Sequence, residues 1–163
     1  MSRAFVKEDG PDNEPLPDLP LSPHPNYVTP RGLQALKDRL TEHQTALAAL
    51  KARTDRLDRN PEKAAERDIR YLEARLKSAL PVTPPATPSE AAFATAITVA
   101  DDAGREITYE IVGEDEADAP LNRIAPQSPL ARALIGAAPG DRVIWRRPAG
   151  AVELELRAIR PIS

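Results

Sequence analysis

The spacing of hydrophobic residues changes along the chain, from helical in the first half to alternating in the second. From Thr29 onward, apolar positions fall alternately three and four residues apart, which is the heptad pattern of helices packed along a seam. The seam positions are Leu33, Leu36, Leu40, His43, Leu47, Leu50, Thr54 and Leu57, then Ala65, Ile69, Leu72, Leu76 and Ala79. Because neither stripe can be buried alone, the pattern predicts an antiparallel helical hairpin, a short coiled coil, over residues 29–80.

Two Pro residues mark where the helices of this hairpin begin. Thr29 followed by Pro30 suits a helix N-cap and first turn, and Asn60 followed by Pro61 suits a second start. The stretch RLDRNPEK, residues 56–63, is therefore predicted to form a tight turn at the tip of the hairpin.

The second half of the chain follows a Pro-rich stretch at residues 81–88, which predicts a semi-rigid linker. FATAITVA, ITYEIV, DRVIW and VELELRAI alternate apolar with polar residues, as strands do. SPLARALIG predicts one short helix that is capped by Ser128, begins at Pro129 and ends at Gly136. Residues 89–163 are thus predicted to be a small, mostly antiparallel sheet with one short helix, and the fold class is α+β.

The first 28 residues are acidic, rich in Pro and without apolar periodicity, so we predict a disordered or extended tail. They carry five acidic and two basic residues, whereas residues 30–80 carry twelve basic and eight acidic residues. Residues 89–163 are acidic again, with eight basic and twelve acidic residues.

Composition narrows the classes of function. The net charge of −3 and an aromatic content of 4% disfavour a general nucleic-acid-binding protein. The absence of Cys excludes disulfides and thiolate metal sites. No apolar run approaches the roughly 18 residues of a membrane span, and the start lacks the apolar core of a signal peptide. We therefore expect a cytoplasmic protein that does not enter a membrane.

Several motifs in the second half occur together in one known family. IVGEDEAD, SPLARALIG and PGDRVIWRRPAGAVELELRAI have the order and spacing found in the bacterial transcript-cleavage factors GreA and GreB. The start of the hairpin, YVTPRGLQAL, is also similar, so the resemblance covers roughly residues 27–163.

The resemblance implies a fold and a partner. The C-terminal domain is expected to be FKBP-like and to grip the rim of the secondary channel of bacterial RNA polymerase, while the hairpin reaches toward the active site. Acidic residues at the tip of such factors help hold a second Mg²⁺, with which the polymerase hydrolyses backtracked RNA. The chain is then a monomer and not an enzyme. It has no tightly bound cofactor beyond a Mg²⁺ shared with the polymerase, and it contacts RNA or DNA only within the transcription complex.

The same resemblance assigns site residues. Contact with the polymerase is expected at Gln127, Ser128, Pro129 and Arg132, and the acidic loop with Asp115 and Glu116 is expected to orient the domain on a basic polymerase surface. An ordinary helix cap and a solvated acidic loop explain these residues equally well, and both interpretations stay open.

The tip departs from the family. The carboxylates best placed to act on Mg²⁺ are Asp58 and Glu62, but basic residues at 56, 59 and 63 alternate with them and lower the local affinity for a cation. The chain also lacks about a dozen residues that Gre factors have between the two helix ends. At about 1.5 Å per residue over two helices, the arm would be short by roughly 9 Å.

These departures predict a factor that occupies the channel and regulates elongation without efficient cleavage. A cleavage-stimulating factor is the alternative, and a coiled-coil adaptor that does not act on polymerase is an alternative of another class. An independent enzyme is disfavoured, because His24 lies in the tail and His43 in the hairpin, so no nucleophile–His–acid set exists.

Overall fold

The computed structural model describes residues 13–163 as a helical hairpin followed by a small sheet. The elements of the hairpin half are β1 (Tyr27–Val28), α1 (Pro30–Lys51), α2 (Asn60–Ser78) and β2 (Leu80–Pro81). Those of the second half are β3 (Thr95–Ala100), β4 (Glu106–Ile111), a 3₁₀ turn (Ala119–Leu121), β5 (Arg123–Ile124), α3 (Pro129–Leu134), β6 (Arg142–Arg147) and β7 (Gly150–Pro161). The architecture is α+β, as predicted, and no helix among these residues is long and apolar enough to cross a membrane.

The helix starts follow the sequence closely. The Oγ1 of Thr29 accepts a hydrogen bond from the backbone N–H of Gly32 at 2.9 Å, and Pro30 opens α1. At the second start Asn60 is the first residue of α2 rather than its cap, and its N–H donates to the Asp58 carboxylate at 2.9 Å. Both starts are thus supplied with an oxygen acceptor by a residue just before the helix.

The packed seam between α1 and α2 is shorter than the heptad pattern of the sequence predicts. Leu36 and Leu72 are buried with Val28, and the helical seam positions up to Leu50 are at least partly covered. The prediction is wrong for Thr54 and Leu57, because α1 ends at Lys51 and Leu57 is 94% exposed.

Local hydrogen bonds explain the early end of α1. The guanidinium of Arg53 donates to the carbonyls of Leu50 and Asp58 at 3.1 and 3.2 Å, and the Asp55 carboxylate accepts from the N–H of Leu57. Such side-chain bonds satisfy the backbone in a loop conformation and compete with further helix. The tip is therefore a loop over residues 52–59 instead of a tight turn.

The second half is a five-stranded sheet with the strand order β5-β4-β3-β7-β6. All neighbouring strands are antiparallel except β4 and β5, and the four predicted strands correspond to β3, β4, β6 and β7. α3 packs on the sheet through Leu130 and Leu134, which join Ile97, Ile111 and Leu156 in the main core. The likeness of this domain to the FKBP fold stays a prediction.

The segment before the hairpin is described from residue 13 onward, and residues 1–12 of the predicted tail lie outside the described residues. Arg70 of α2 donates to Asp18 and to the carbonyl of Leu16, and Asn26 donates to the carbonyl of Arg75. The disordered or extended tail stays a prediction. β1 then pairs in parallel with β2, so Pro81 of the predicted linker belongs to this small ladder. The ladder forms because the carbonyls of Asn26 and Val28 accept from the N–H groups of Leu80 and Val82 at 2.8 and 2.9 Å.

The revised seam can be tested with one pair of substitutions. Leu72→Ala removes a fully buried side chain and should lower the free energy of unfolding by about 2–5 kcal/mol. Leu57→Ala removes an exposed side chain and should change it by less than about 0.5 kcal/mol. Denaturant unfolding followed by helical circular dichroism measures both values, and equal losses would restore Leu57 to the seam.

Candidate functional site

The loop that follows β4 joins the base of the hairpin to the sheet domain. Two glycines allow the close approach. A Cβ on Gly113 would lie 2.6 Å from the carbonyl oxygen of Tyr27, and one on Gly32 would lie 2.7 Å from the Oε1 of Glu116. Both distances are below normal contact, so a larger residue at Gly113 would push against the backbone of Tyr27, and one at Gly32 would displace the Glu116 carboxylate.

Arg75 of α2 lies at the centre of this junction, with 4% of its side chain exposed. Its guanidinium donates to the Asp115 carboxylate at 2.6 Å, to the side-chain oxygen of Asn26 at 2.7 Å and to the Glu114 carboxylate at 3.4 Å. Tyr71 donates its hydroxyl to the second oxygen of Asp115. Burial, aided by this hydrogen bond, raises the pKa of Tyr71 to about 12, so the phenol stays a donor at neutral pH.

A second set of ion pairs holds the start of α1. The Glu116 carboxylate accepts from the Thr29 hydroxyl at 2.6 Å and from the Nε of Arg31 at 2.5 Å. Arg31 also donates to Glu110 of β4 at 2.9 Å. The hairpin is thus fixed to the sheet domain through both of its helices.

These contacts change the interpretation of Asp115 and Glu116. The resemblance assigned both residues to a polymerase surface, but their side chains are only 11% and 6% exposed and are bonded within the chain. Side chains this buried present little oxygen surface to a basic partner. The structure therefore gives them an internal role, in which they hold the hairpin to the domain.

At the other end of the hairpin, Glu62 is enclosed by arginines. Arg56 donates to both carboxylate oxygens at 2.8 and 2.7 Å, and the guanidiniums of Arg53 and Arg59 lie within 4.0 Å. The Glu62 side chain is 1% exposed, although it is covered by these side chains at the tip and not by a packed core. The hydrogen bonds from Arg56, more than any other contact, hold the pKa of Glu62 below its usual value of 4.5.

This arrangement does not fit a shared Mg²⁺. The oxygens of Glu62 are taken by Arg56, and one oxygen of Asp58 accepts from the backbone of Asn60. A hard cation needs free oxygen ligands, and three neighbouring guanidiniums repel it. Among residues 13–163, no group of three or more His, Asp or Glu side chains is placed to hold a metal ion.

The residues predicted to contact a partner come together beside α3. The Ser128 hydroxyl caps the helix by accepting from the N–H of Ala131 at 3.3 Å, and Pro129 and Arg132 are exposed. Next to them lies an open cleft of about 310 Å³. Its lining is Tyr109, Ala119, Asn122, Ile124, Ser128, Pro129, Leu130 and Trp145. Gln127 is half-buried, and its side-chain oxygen accepts no hydrogen bond from the described residues.

Comparison with known proteins identifies the family. The protein-family model described as "Transcription elongation factor, GreA/GreB, C-term" matches residues 86–161 of this chain. Transcription elongation factor GreB of Neisseria meningitidis is 34% identical over 155 residues, which cover 85% of this chain and 95% of the relative. GreA of Legionella pneumophila is 37% identical over 161 residues, which cover 87% and 99%. The chain belongs to the GreA/GreB family. The crystal structure of Gfh1 from Thermus thermophilus, at 22% identity, covers 84% of this chain and 99% of its own with a TM-score of 0.41.

Several residues that shape this Gre-family chain are not evident from its sequence. Arg75 and Arg31 look like ordinary surface residues, and nothing local connects them to the acidic loop 40 and 85 positions away. Nothing local connects Asn26 to Arg75 either, which lies 49 positions further along the chain. The one available signal is the excess of acid at residues 114–118 opposite a basic hairpin. Opposite charge indicates attraction between the segments, but it does not indicate which pairs form.

The junction can be tested through its central arginine. Arg75→Ala leaves the Asp115 carboxylate buried without its guanidinium partner and should destabilise the protein by about 3–5 kcal/mol. Arg67→Ala is the matched control, because Arg67 lies on the same helix and pairs with Asp68 where both side chains are 31% exposed. That change should cost less than about 1 kcal/mol by denaturant unfolding. Similar losses for both variants would contradict the central role of Arg75.

The enclosure of Glu62 predicts its titration. Carbon-13 NMR of the Glu62 carboxyl should report a pKa below 4.5, and Arg56→Gln should move it upward. Because the folded pKa is lowered, the contribution to stability is complete above pH 4.5 and is lost as the pH falls through the folded value. Glu62→Gln should remove that part of the acid dependence. A wild-type pKa at or above 4.5 would show that the ion pair does not persist in solution.

Proposed function

We propose that this Gre-family protein binds bacterial RNA polymerase at its secondary channel and regulates elongation by occupying the channel, without efficient stimulation of RNA cleavage. In this proposal it acts as a cytoplasmic monomer, is not itself an enzyme and meets RNA or DNA only within the transcription complex. Family membership supports the partner, and the chemistry of the tip supports the mode of action.

The observation that carries the proposal is the pairing of Glu62 with Arg56 at the tip. A cleavage factor must present carboxylate oxygens to Mg²⁺, whereas here both oxygens of the best-placed carboxylate accept from one guanidinium. Freeing them requires breaking a bidentate ion pair, which is among the stronger side-chain contacts. α1 and α2 are about 33 and 28 Å long at 1.5 Å per residue, and the short arm stays a prediction from the sequence.

The cleft beside α3 is the surface that we assign to the polymerase. It combines apolar walls from Tyr109, Pro129 and Trp145 with an exposed cation, Arg132, which follows Pro129 by three residues on α3. An apolar pocket with a charged rim is the usual anatomy of a specific protein contact. The junction at Arg75 then holds the hairpin at a set angle to this surface, so binding at the rim would direct the arm into the channel.

The decisive assay uses a backtracked elongation complex with 3′-labelled RNA and Mg²⁺. Added alone, the protein should release no more 3′ fragment than the polymerase does by itself. Added with a cleavage-active Gre factor, it should inhibit that factor in a dose-dependent manner. Release of fragments by this protein alone, lost in Asp58→Ala or Glu62→Ala, would establish the alternative of a cleavage-stimulating factor.

Charge reversal tests the assigned surface. Arg132→Glu should raise the concentration needed for half-inhibition about fivefold or more, because a rim charge steers association. Arg160→Glu is the matched control, since Arg160 is also exposed and lies on β7, outside α3 and the cleft. Equal effects would indicate a general charge effect in place of a docking surface. If wild-type protein neither inhibits nor recovers polymerase subunits, the adaptor alternative holds.

A further inference from the structure

The acidic leader, which we define as residues 13–22, lies along α2 from the tip of the hairpin toward its base. Asn13 accepts a hydrogen bond from Arg59 at 2.9 Å. Further along, Arg70 donates to the Asp18 carboxylate at 2.5 Å and to the carbonyl of Leu16 at 2.7 Å. The leader therefore runs parallel to α2, with donors from Arg59 just before that helix and Arg70 within it. At its end, Ser22 donates its hydroxyl to the Glu114 carboxylate at 2.9 Å.

The face of α2 that includes Arg70 carries a row of cations. Lys63, Arg67, Arg70 and Lys77 are spaced by four, three and seven residues, which places them on one face of α2 over roughly 21 Å. This face lies opposite the seam, because Ala65 and Leu72 point toward α1. Within this row Arg67 pairs with Asp68 of the same helix, and Arg70 pairs with Asp18 of the leader.

The hold on the leader is weak compared with the anchor that follows it. Asn26 is buried, and its amide donates to the carbonyl of Arg75 at 2.8 Å while its oxygen accepts from the Arg75 guanidinium. By contrast, the side chain of Asp18 is 75% exposed, and exposed ion pairs contribute little free energy. Clefts of about 80 and 430 Å³ are lined by residues of both α2 and the chain around Leu21. Asn26 and the hydrogen bond from Ser22 to Glu114 thus fix the end of the leader, whereas the exposed contacts at Asn13 and Asp18 hold the rest of it as a strap that is attached at one end.

We infer that the leader is an autoinhibitory strap, which covers the basic face of α2 and keeps it from binding the phosphate backbone of single-stranded nucleic acid. A straight row of cations favours a linear polyanion over a compact acidic surface, because successive phosphates can pair with successive side chains. Asp18 and the carbonyl of Leu16 occupy the position that phosphate oxygens would take at Arg70. The inference concerns α2 and the leader alone and does not depend on polymerase binding.

The test measures the affinity of the full chain for a labelled oligouridylate of about twelve nucleotides by fluorescence anisotropy, at about 50 mM salt. Deleting residues 1–21 keeps Asn26 and should tighten binding about tenfold, with a steeper dependence on salt. Arg70→Gln in the deleted chain should weaken binding again. Unchanged affinity after the deletion, with the helical circular dichroism intact, would overturn the inference.

Two point variants in the full chain separate contact from charge. Asp18→Asn and Glu14→Gln each remove one negative charge from the leader, but only Asp18 pairs with α2, and Glu14 makes no hydrogen bond or ion pair among the described residues. Asp18→Asn should tighten oligouridylate binding severalfold more than Glu14→Gln. Equal effects would show that the leader acts by charge alone and not as a strap. This pair decides the question even if the deleted chain fails to fold.

Discussion

The arrangement of the whole molecule depends on the buried guanidinium of Arg75. A buried charge is costly unless it is paired and fully hydrogen-bonded, and Asn26 together with Glu114 and Asp115 of the loop after β4 meets that requirement from two separate parts of the chain. Both parts are thereby held in one place: the segment around Asn26 lies against α2, and the loop after β4 lies against the base of the hairpin. The direction of the arm relative to the sheet domain follows from this one requirement together with the close contact at Gly113.

Pairing of arginine with carboxylate also occurs at the tip of the hairpin, where it has a different consequence for the protein. At the base, the ion pairs join two parts of the protein. At the tip, the ring of Arg53, Arg56 and Arg59 converts Glu62 from a candidate metal ligand into a structural acceptor. A family member whose tip carboxylate is paired with arginine has fewer free oxygens for a cation. The local electrostatics of the tip are thus connected to the proposed regulatory action.

The leader shows a third role of charged contacts. It binds Arg59 and Arg70 beside the basic face of α2, and these exposed contacts contribute little free energy. The protein thus combines a rigid base, a neutralised tip and a loosely attached acidic segment. These three features differ in how deeply each carboxylate is buried. Burial decides whether an ion pair persists or can be displaced by a competing charge.

Local pattern alone determined much of this protein. The heptad spacing and the Pro30 and Pro61 starts predicted both helices, alternation predicted four strands, and ordered motifs predicted the family. These features are short-range, so neighbouring residues specify them. The end of α1 before Leu57, the burial of Asp115 and Glu116, the path of the leader and the enclosure of Glu62 were decided only by the tertiary structure. Each of these features depends on residues distant in sequence or on specific side-chain hydrogen bonds. Composition does not specify which partners form such bonds, because charge in a sequence indicates attraction but not geometry.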